Sequence, residues 1–391
     1  MPDAVIVDAV RTPVGRARAD GALSRVHPVD LLAGVLEALV SRTGLDPVLV
    51  EDVITGCAKQ VGEQSGNIAR HAALAAGFPE TVPGTTINRQ CGSSQQAVAF
   101  AAQGVMAGAY DVVVACGVES MSAVPLGSSR PASRGDRTAR RYPEGLVHQG
   151  ISAELVARRW RIGRDELDAY AAESHGRAAA SWASGFFDAE VVPVVTDAGE
   201  HATDETVRGS TTVEGLAGLA PSFRTEETAA RFPDIDWKIT PGTSSPLTDG
   251  ASAVLVTSEE RAASLGLRPR ARFRAFSVVG DDPLLMLTGP IPATRKVLSR
   301  AGLGLDRIDA YEVNEAFAPV PLAWLRELDA DPARFNPRGG AIALGHALGS
   351  SGTRLLVTLL HHLEATGGRY GLQTMCEAGG MANATIIERV G

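Results

Sequence analysis

Short segments near the start of the chain return near its end at an almost constant distance. SRTGL at 41–45 is answered by SRAGL at 299–303, an offset of 258 residues, and GSS at 92–94 by GSS at 349–351, an offset of 257. Cys116 is answered by Cys376 at an offset of 260, and each is followed five residues later by a methionine, Met121 and Met381. A repeat of this kind means one structural unit used twice. The pattern around the anchors agrees. Residues 4–10, 53–56 and 111–115 read as strands and 29–41, 67–76 and 94–107 as helices. Later, 292–301 and 351–365 read as helices and 309–313, 372–376 and 383–389 as strands. Alternating strands and helices predict an α/β layered protein. In the repeat alignment Cys91 and His346 stand just before the same helix of each copy, so a pseudo-twofold arrangement would bring a thiol and an imidazole together.

Between the copies the character changes. Residues 121–243 are rich in Arg, Glu, Ser and Gly. SRPASRGDRTARR reads as a polar loop; ISAELVARRW and RDELDAYAAESHGRAAASWASG read as amphipathic helices, with Asp or Ser near their starts. The expected organisation is a first copy at 1–120 plus about 244–269, an inserted helical lobe at 121–243, and a second copy at 270–391. Such a lobe is either a solvated decoration or a lid over a site built by the repeats.

The 391 residues, 45% of them hydrophobic and 21% charged, suffice for one large core or two to three ordinary ones. A net charge of -8, with no block of basic residues, argues against a nucleic-acid partner and for a small ligand. No apolar run is long enough to span a membrane, and the N-terminus shows no targeting pattern, so the expected location is cytoplasmic. The four cysteines, Cys57, Cys91, Cys116 and Cys376, are too dispersed for zinc motifs or a disulfide framework. Reduced thiols and no metal are expected.

Chemistry concentrates in four stretches. In NRQCGSSQQA, Cys91 precedes a helix that Ser93 or Ser94 can cap, and a helix N-terminus favours a thiolate; an inert buried thiol is the competing reading. In NPRGGAIALGHALGSSGTR, His346 lies between glycines that let a ligand approach the backbone, although a lone histidine is often structural. In TMCEAGGMANA, Cys376 ends a strand before Gly379 and Gly380, where a thiol can carry a proton and backbone N–H groups can hold an oxyanion. In YEVNEAFA, Asn314 and Glu315 sit at the C-terminal end of a strand, where α/β sheets place their sites; a capping role for Asn314 is the alternative.

These stretches, with GVESMS and the closing NATIIERV, resemble in order and spacing the thiolase family, specifically the acetyl-CoA acyltransferases (3-ketoacyl-CoA thiolases). The resemblance runs from DAVRTPVG to the last residues. It implies the thiolase fold, two similar αβαβα layered halves with an inserted loop domain that binds coenzyme A. It also implies a homodimer or homotetramer, CoA and acyl-CoA as substrates, and no permanently bound cofactor or metal. By motif match, Cys91 is the acyl-accepting nucleophile, His346 its base, and Cys376 the acid and base for the carbanion. Asn314 would hold a water that, with His346, stabilises the enolate; the N–H groups of Cys91 and Ala378 would form the second oxyanion site. Less directly, His148, Gln149 and Ser245 match contacts to the pantetheine arm, and Met286 and Ala318 belong with the acyl and CoA contacts. The chain departs from the family at Ala378 (usually Gly), Ala347 (Pro) and Thr243 (Asn). Ala378 puts a Cβ beside the second oxyanion site.

The implied chemistry suits the residues. Cleaving a 3-ketoacyl-CoA needs a soft nucleophile at the keto carbon and both a proton and electrostatic support for the departing enolate. Two rivals use related architecture: a β-ketoacyl synthase, which pairs its cysteine with two histidines, and a catalytically silent acyl-CoA or lipid carrier. Cys376 separates the first from a thiolase.

Overall fold

Strand β1 (Ala4–Arg11) is buried along its whole length, as a strand covered on both faces must be. The computed structural model describes residues 3–129 and 133–391. After β1 come β2 (Gly15–Arg16), α1 (Pro28–Thr43), β3 (Asp52–Gly56), α2 (Ile68–Ala75), β4 (Gly84–Ile87), α3 (Ser93–Met106) and β5 (Val112–Ser120). The lobe holds α4 (Asp136–Arg141), α5 (Gln149–Arg159), α6 (Arg164–Ala183), the ribbon β6 (Val194–Thr196) and β7 (Gly199–His201), α7 (Val213–Ala217) and α8 (Glu226–Arg231). The chain continues through β8 (Thr248–Ser258), α9 (Glu259–Ser264), β9 (Ala271–Gly280), α10 (Pro290–Ala301) and β10 (Ala310–Val313). It closes with α11 (Pro319–Leu328), α12 (Ala341–Leu344), α13 (Ser351–Thr366), β11 (Tyr370–Glu377) and β12 (Met381–Arg389).

The strand order β10-β11-β12-β9-β1-β8-β5-β3-β4 contains the same path twice. From the outer side inward, β3-β5-β8-β1 matches β10-β11-β12-β9; the first pair in each is parallel and the next two antiparallel. The two paths meet at β1 and β9 through only two residue pairs. In the second half β11 enters β12 through residues 378–380, whereas in the first the chain leaves β5 at 121 and returns in β8 at 248. The lobe therefore stands where its repeat has a tight turn.

Helices α1 and α2 pack Leu31, Leu36, Ile68 and Ala72 on one face of the first sheet half. Helices α10 and α11 pack Val297 and Trp324 on the second half. Between the halves, α3 and α13 share one apolar cluster, in which Ala97, Val98, Leu356 and Leu360 meet Ile54 and Val254 of one half and Phe273 and Ile387 of the other. This makes five layers, helix–sheet–helix–sheet–helix, with α3 and α13 in the middle. The two helices touch at backbone distance: a Cβ on Gly352 would lie 2.1 Å from the Gln95 nitrogen, and Thr353 N donates to Ser94 Oγ at 3.0 Å. Only glycine permits that approach.

The lobe is bolted to the core. Arg11, 1% exposed, donates to Glu190 at 2.6 Å and Asp204 at 2.8 Å, both lobe residues. Helices α5 and α6 bury Val156, Leu167 and Ala171 against Leu287, Phe317 and Val320. The lobe is thus a cover rather than a solvated decoration. Of the stretch read as a polar loop, 130–132 lie outside the described residues, and 136–141 form α4 because Asp136 opens a helical turn and Arg140 and Arg141 close it. The lobe helices carry Ser152 and Asp165 near their starts, as expected, although neither is the N-cap. His148 caps α5 through its side chain, and Gly163 precedes α6.

Candidate active site

After β4 the chain turns sharply through Asn88, Arg89 and Gln90 into Cys91. Gln90 has φ 51°, a left-handed conformation that costs a side-chain-bearing residue and is held by its surroundings. Gln90 N donates to Asn88 Oδ1 at 2.8 Å; Ser93 Oγ accepts from Arg89 N at 2.9 Å and donates to Gln90 O at 2.5 Å. Neither Ser93 nor Ser94 is the N-cap, as the sequence suggested. Gly92 is, and Ser93 instead staples the turn that presents Cys91. From the other side Asn383 Nδ2 donates to Gly92 O at 3.2 Å, and the Glu377 carboxyl packs so closely that a Cβ on Gly92 would meet Oε1 at 2.1 Å.

Cys91 is 7% exposed and lies on the wall of a cavity of about 400 Å³. Burial pushes its thiol up to about 12, with the Glu377 carboxylate adding to the shift and Lys59 and the Cys91 backbone N–H opposing it. The helix N-terminus thus does not make a resting thiolate, contrary to the sequence expectation; desolvation prevails. Cys376, near the end of β11, is 1% exposed. Burial raises its thiol well above the ordinary range, and the charge of Cys91 adds to this.

His346 precedes α13, and its imidazole is 5% exposed. Ser351 Oγ donates to Ala347 O at 2.8 Å, so at 2.6 Å from His346 Nδ1 it accepts. That network assigns the ring proton to Nδ1 and leaves Nε2 as the basic nitrogen. Asn314 Nδ2 lies 3.4 Å from Nε2. Burial, and then the nearby Arg354 charge, lower the imidazole to about 3, so it is neutral near pH 7. Asn314 follows the last residue of β10 and is fully buried; its N–H donates to Thr374 O at 3.1 Å, and its Oδ1 is buried without a hydrogen-bond partner. It caps no helix, since Ala318 stands at the start of α11. Glu315 instead braces the lobe, accepting from Tyr170 at 2.6 Å and Ser174 at 2.7 Å.

Ala378 is half-buried on the same cavity wall. It is not among the residues with positive φ; Gly379 and Gly380, at 95° and 78°, take that conformation, so the turn accommodates the Cβ at 378. His148, Gln149 and Met286 also line the cavity, and the His148 ring lies 5.5 Å from Phe223. Met286 has φ 56° and is 6% exposed. Ser245 and Ala318 do not reach that wall. Ser245 Oγ donates to Ala316 O at 3.0 Å, while Ala318 is buried and donates its N–H to Thr243 O at 2.9 Å. Ser351, Arg354, Glu377 and Lys59 carry parts of the site that sequence reasoning did not assign. Ser351 lay in a quoted repeat motif, but its bond to His346 had no signal in spacing alone.

Comparison with known proteins gives the family. The thiolase N-terminal domain matches residues 4–260 and the thiolase C-terminal domain residues 267–389. The steroid 3-ketoacyl-CoA thiolase FadA6 of Mycobacterium tuberculosis is 48% identical, over 100% of this chain and 95% of its own. The 3-oxoadipyl-CoA/3-oxo-5,6-dehydrosuberyl-CoA thiolase of Escherichia coli is 44% identical over the whole of both chains. The crystal structure of the Bacillus anthracis acetyl-CoA acetyltransferase superposes with a TM-score of 0.89 at 39% identity, covering 100% of this chain and 99% of that one. With both domains matched and relatives aligned from end to end, the chain belongs to the thiolase family.

Proposed function

We propose that the protein is an acetyl-CoA C-acyltransferase that cleaves 3-ketoacyl-CoA with CoA to acetyl-CoA and a shortened acyl-CoA, or runs the reverse condensation. The observation that carries this reading is that Cys91 lies on a cavity wall and the end of β11, which bears Cys376, packs against Gly92 next to it, in a chain of the thiolase family. His346 Nε2 takes the Cys91 proton as the sulfur attacks the keto carbon. The bond between C2 and C3 then breaks, leaving an acyl thioester on Cys91 and an enolate of acetyl-CoA, which Cys376 protonates. The incoming CoA thiol gives its proton to the Cys376 thiolate and attacks the acyl group, releasing Cys91.

Because the resting thiol and imidazole are both neutral, proton transfer accompanies attack rather than preceding it. The N–H groups of Cys91 and Ala378 face the tetrahedral oxyanion; Asn314, through a water, and His346 face the enolate oxygen. One such donor is worth about 3 kcal/mol in rate. His148 and Gln149 follow the pantetheine arm with Ser245 behind them, and Met286 shapes the acyl end with the buried Ala318 in the same apolar cluster behind it. CoA enters as a substrate, no resident cofactor or metal takes part, and the working form is a cytoplasmic homodimer or homotetramer serving β-oxidation-type degradation. The acyl groups in the names of its relatives differ, from steroid-derived to dicarboxylic, so acyl preference rests with residues of this chain.

The test is incubation with a panel of 3-ketoacyl-CoAs and CoA, reading acetyl-CoA release and the mass of the Cys91 adduct. An acyl adduct on Cys91 that Cys91→Ser abolishes is the expected result; full activity in that variant refutes the mechanism.

A further inference from the structure

Lys59 places a cation where the reaction itself calls for none. It follows Cys57 and Ala58, both buried, at the end of β3. The backbone N–H groups of Ala58 and Lys59 donate to the Glu119 carboxylate at 2.9 and 3.1 Å, and Gln64 Nε2 donates to the Lys59 carbonyl at 2.8 Å. The loop is therefore fixed, and Lys59 stands on the same cavity wall as Cys91. Glu119 is already occupied by N–H donors, Gln64 and Gly349 among them at 2.8 Å each. Among the described residues the Lys59 ammonium has no hydrogen-bond or ion-pair partner.

Among the described residues the wall carries two cations, Lys59 and Arg134, and no Asp or Glu, in a protein whose net charge is -8. Lys59 is near enough to Cys91 to be the foremost influence favouring its thiolate. That proximity separates it from the CoA diphosphate, which the whole pantetheine arm holds away from the thioester sulfur. Beside it Leu126, Met286 and Leu348 offer an apolar wall to a hydrocarbon chain.

We propose that the acyl chain of the substrate carries a carboxylate at its far end and that Lys59 binds it. The substrates are then 3-ketoacyl-CoAs derived from dicarboxylic acids. This rests on the thiolase reading of Cys91. The terminal carboxylate is unchanged by the reaction: it stays with the acyl group on Cys91 and leaves in the shortened acyl-CoA. A charge-assisted hydrogen bond to an ammonium with no other partner discriminates between an anionic and a neutral chain end by roughly tenfold to a hundredfold.

The experiment compares substrates in pairs of equal carbon count, 3-oxoadipyl-CoA with 3-oxohexanoyl-CoA and longer pairs after them, with the full-length protein. In at least one pair kcat/KM favours the carboxylated member by about tenfold or more. Lys59→Met brings that ratio close to one, mainly through KM, while Lys59→Arg keeps most of it. Equal or better use of every neutral member overturns the proposal and leaves the thiolase reading intact. An equal loss for both members in Lys59→Met also overturns it, because the lysine then serves the Cys91 thiolate. If no 3-ketoacyl-CoA of either kind acylates Cys91, the thiolase reading falls and the proposal with it.

Discussion

His346 donates its Nδ1 proton to Ser351 Oγ at 2.6 Å, and Ser351 in turn donates to the Ala347 carbonyl at 2.8 Å. One hydroxyl at the first turn of α13 thus decides which nitrogen of the imidazole is basic. Ser351→Ala removes that decision while leaving the ring buried. The expected result is a fall in kcat of about ten- to a hundredfold with KM little changed, the scale of a misdirected general base. Steady-state kinetics on a good substrate checks it. Ser351→Thr, which keeps the hydroxyl, recovers most of the rate.

Arg354 lies one helical turn further on, 4% exposed, and its charge holds the imidazole down. Removing a positive charge favours the protonated ring, so Arg354→Met raises the His346 pKa. The basic form is then lost at a higher pH as the solution is acidified, and the acid limb of the kcat/KM profile moves up. Glu312 faces the same arginine and is itself raised to about 8 by burial, so near pH 7 the variant leaves a largely neutral carboxyl behind. Histidine NMR titration measures the shift independently of turnover.

The duplicated fold was legible in the sequence. The repeat anchors pointed to α3 and α13 as equivalent helices, and their N-terminal turns do touch, at Gln95 with Gly352 and Ser94 with Thr353. The anchors Cys116 with Met121 and Cys376 with Met381 sit at the connection that carries the lobe in one half and a tight turn in the other, the end of β5 and the turn into β12. Strands β8 and β9 and helix α11 escaped the reading. Strand β8 is buried throughout and shows no alternation, and α11 opens PVP, a composition that reads as a helix breaker although proline is tolerated in a first turn. The electrostatics of Cys91 were misjudged for a different reason. A dipole is visible in a sequence, but the depth of burial that outweighs it depends on contacts from Glu377 and Asn383, nearly three hundred residues away.

Glu377 is buried beside that thiol, with neither carboxyl oxygen hydrogen-bonded, and its pKa is raised to about 8 by burial, partly opposed by Arg89. Below pH 8 the carboxyl is neutral; above it, the carboxylate opposes ionisation of Cys91. Glu377→Gln removes the charge and keeps the shape. Alkylation of Cys91 by iodoacetamide, followed by mass spectrometry across pH 7 to 10, is expected to accelerate more steeply with pH in the variant than in the parent (a range set by the ordinary thiol region). Identical profiles would mean that the carboxyl is screened from the sulfur.

The contact between α3 and α13 carries the last expectation. Gly352 stands so close to Gln95 that a Cβ would fall 2.1 Å from its backbone nitrogen and 2.8 Å from its Cα. Backbone cannot swing aside as a side-chain end can, so Gly352→Ala must push the two helices apart at the level of Cys91 and His346. Overpacking of this kind costs about 1–3 kcal/mol or more. Urea unfolding is expected to show that loss as a lower midpoint, and kcat to fall further than stability alone explains, because the displacement enters the distance between thiol and base. Gly34 supplies the control: it lies in α1, where a Cβ meets nothing within 4 Å. Gly34→Ala, which favours the helix, should leave stability equal or slightly higher and kcat unchanged.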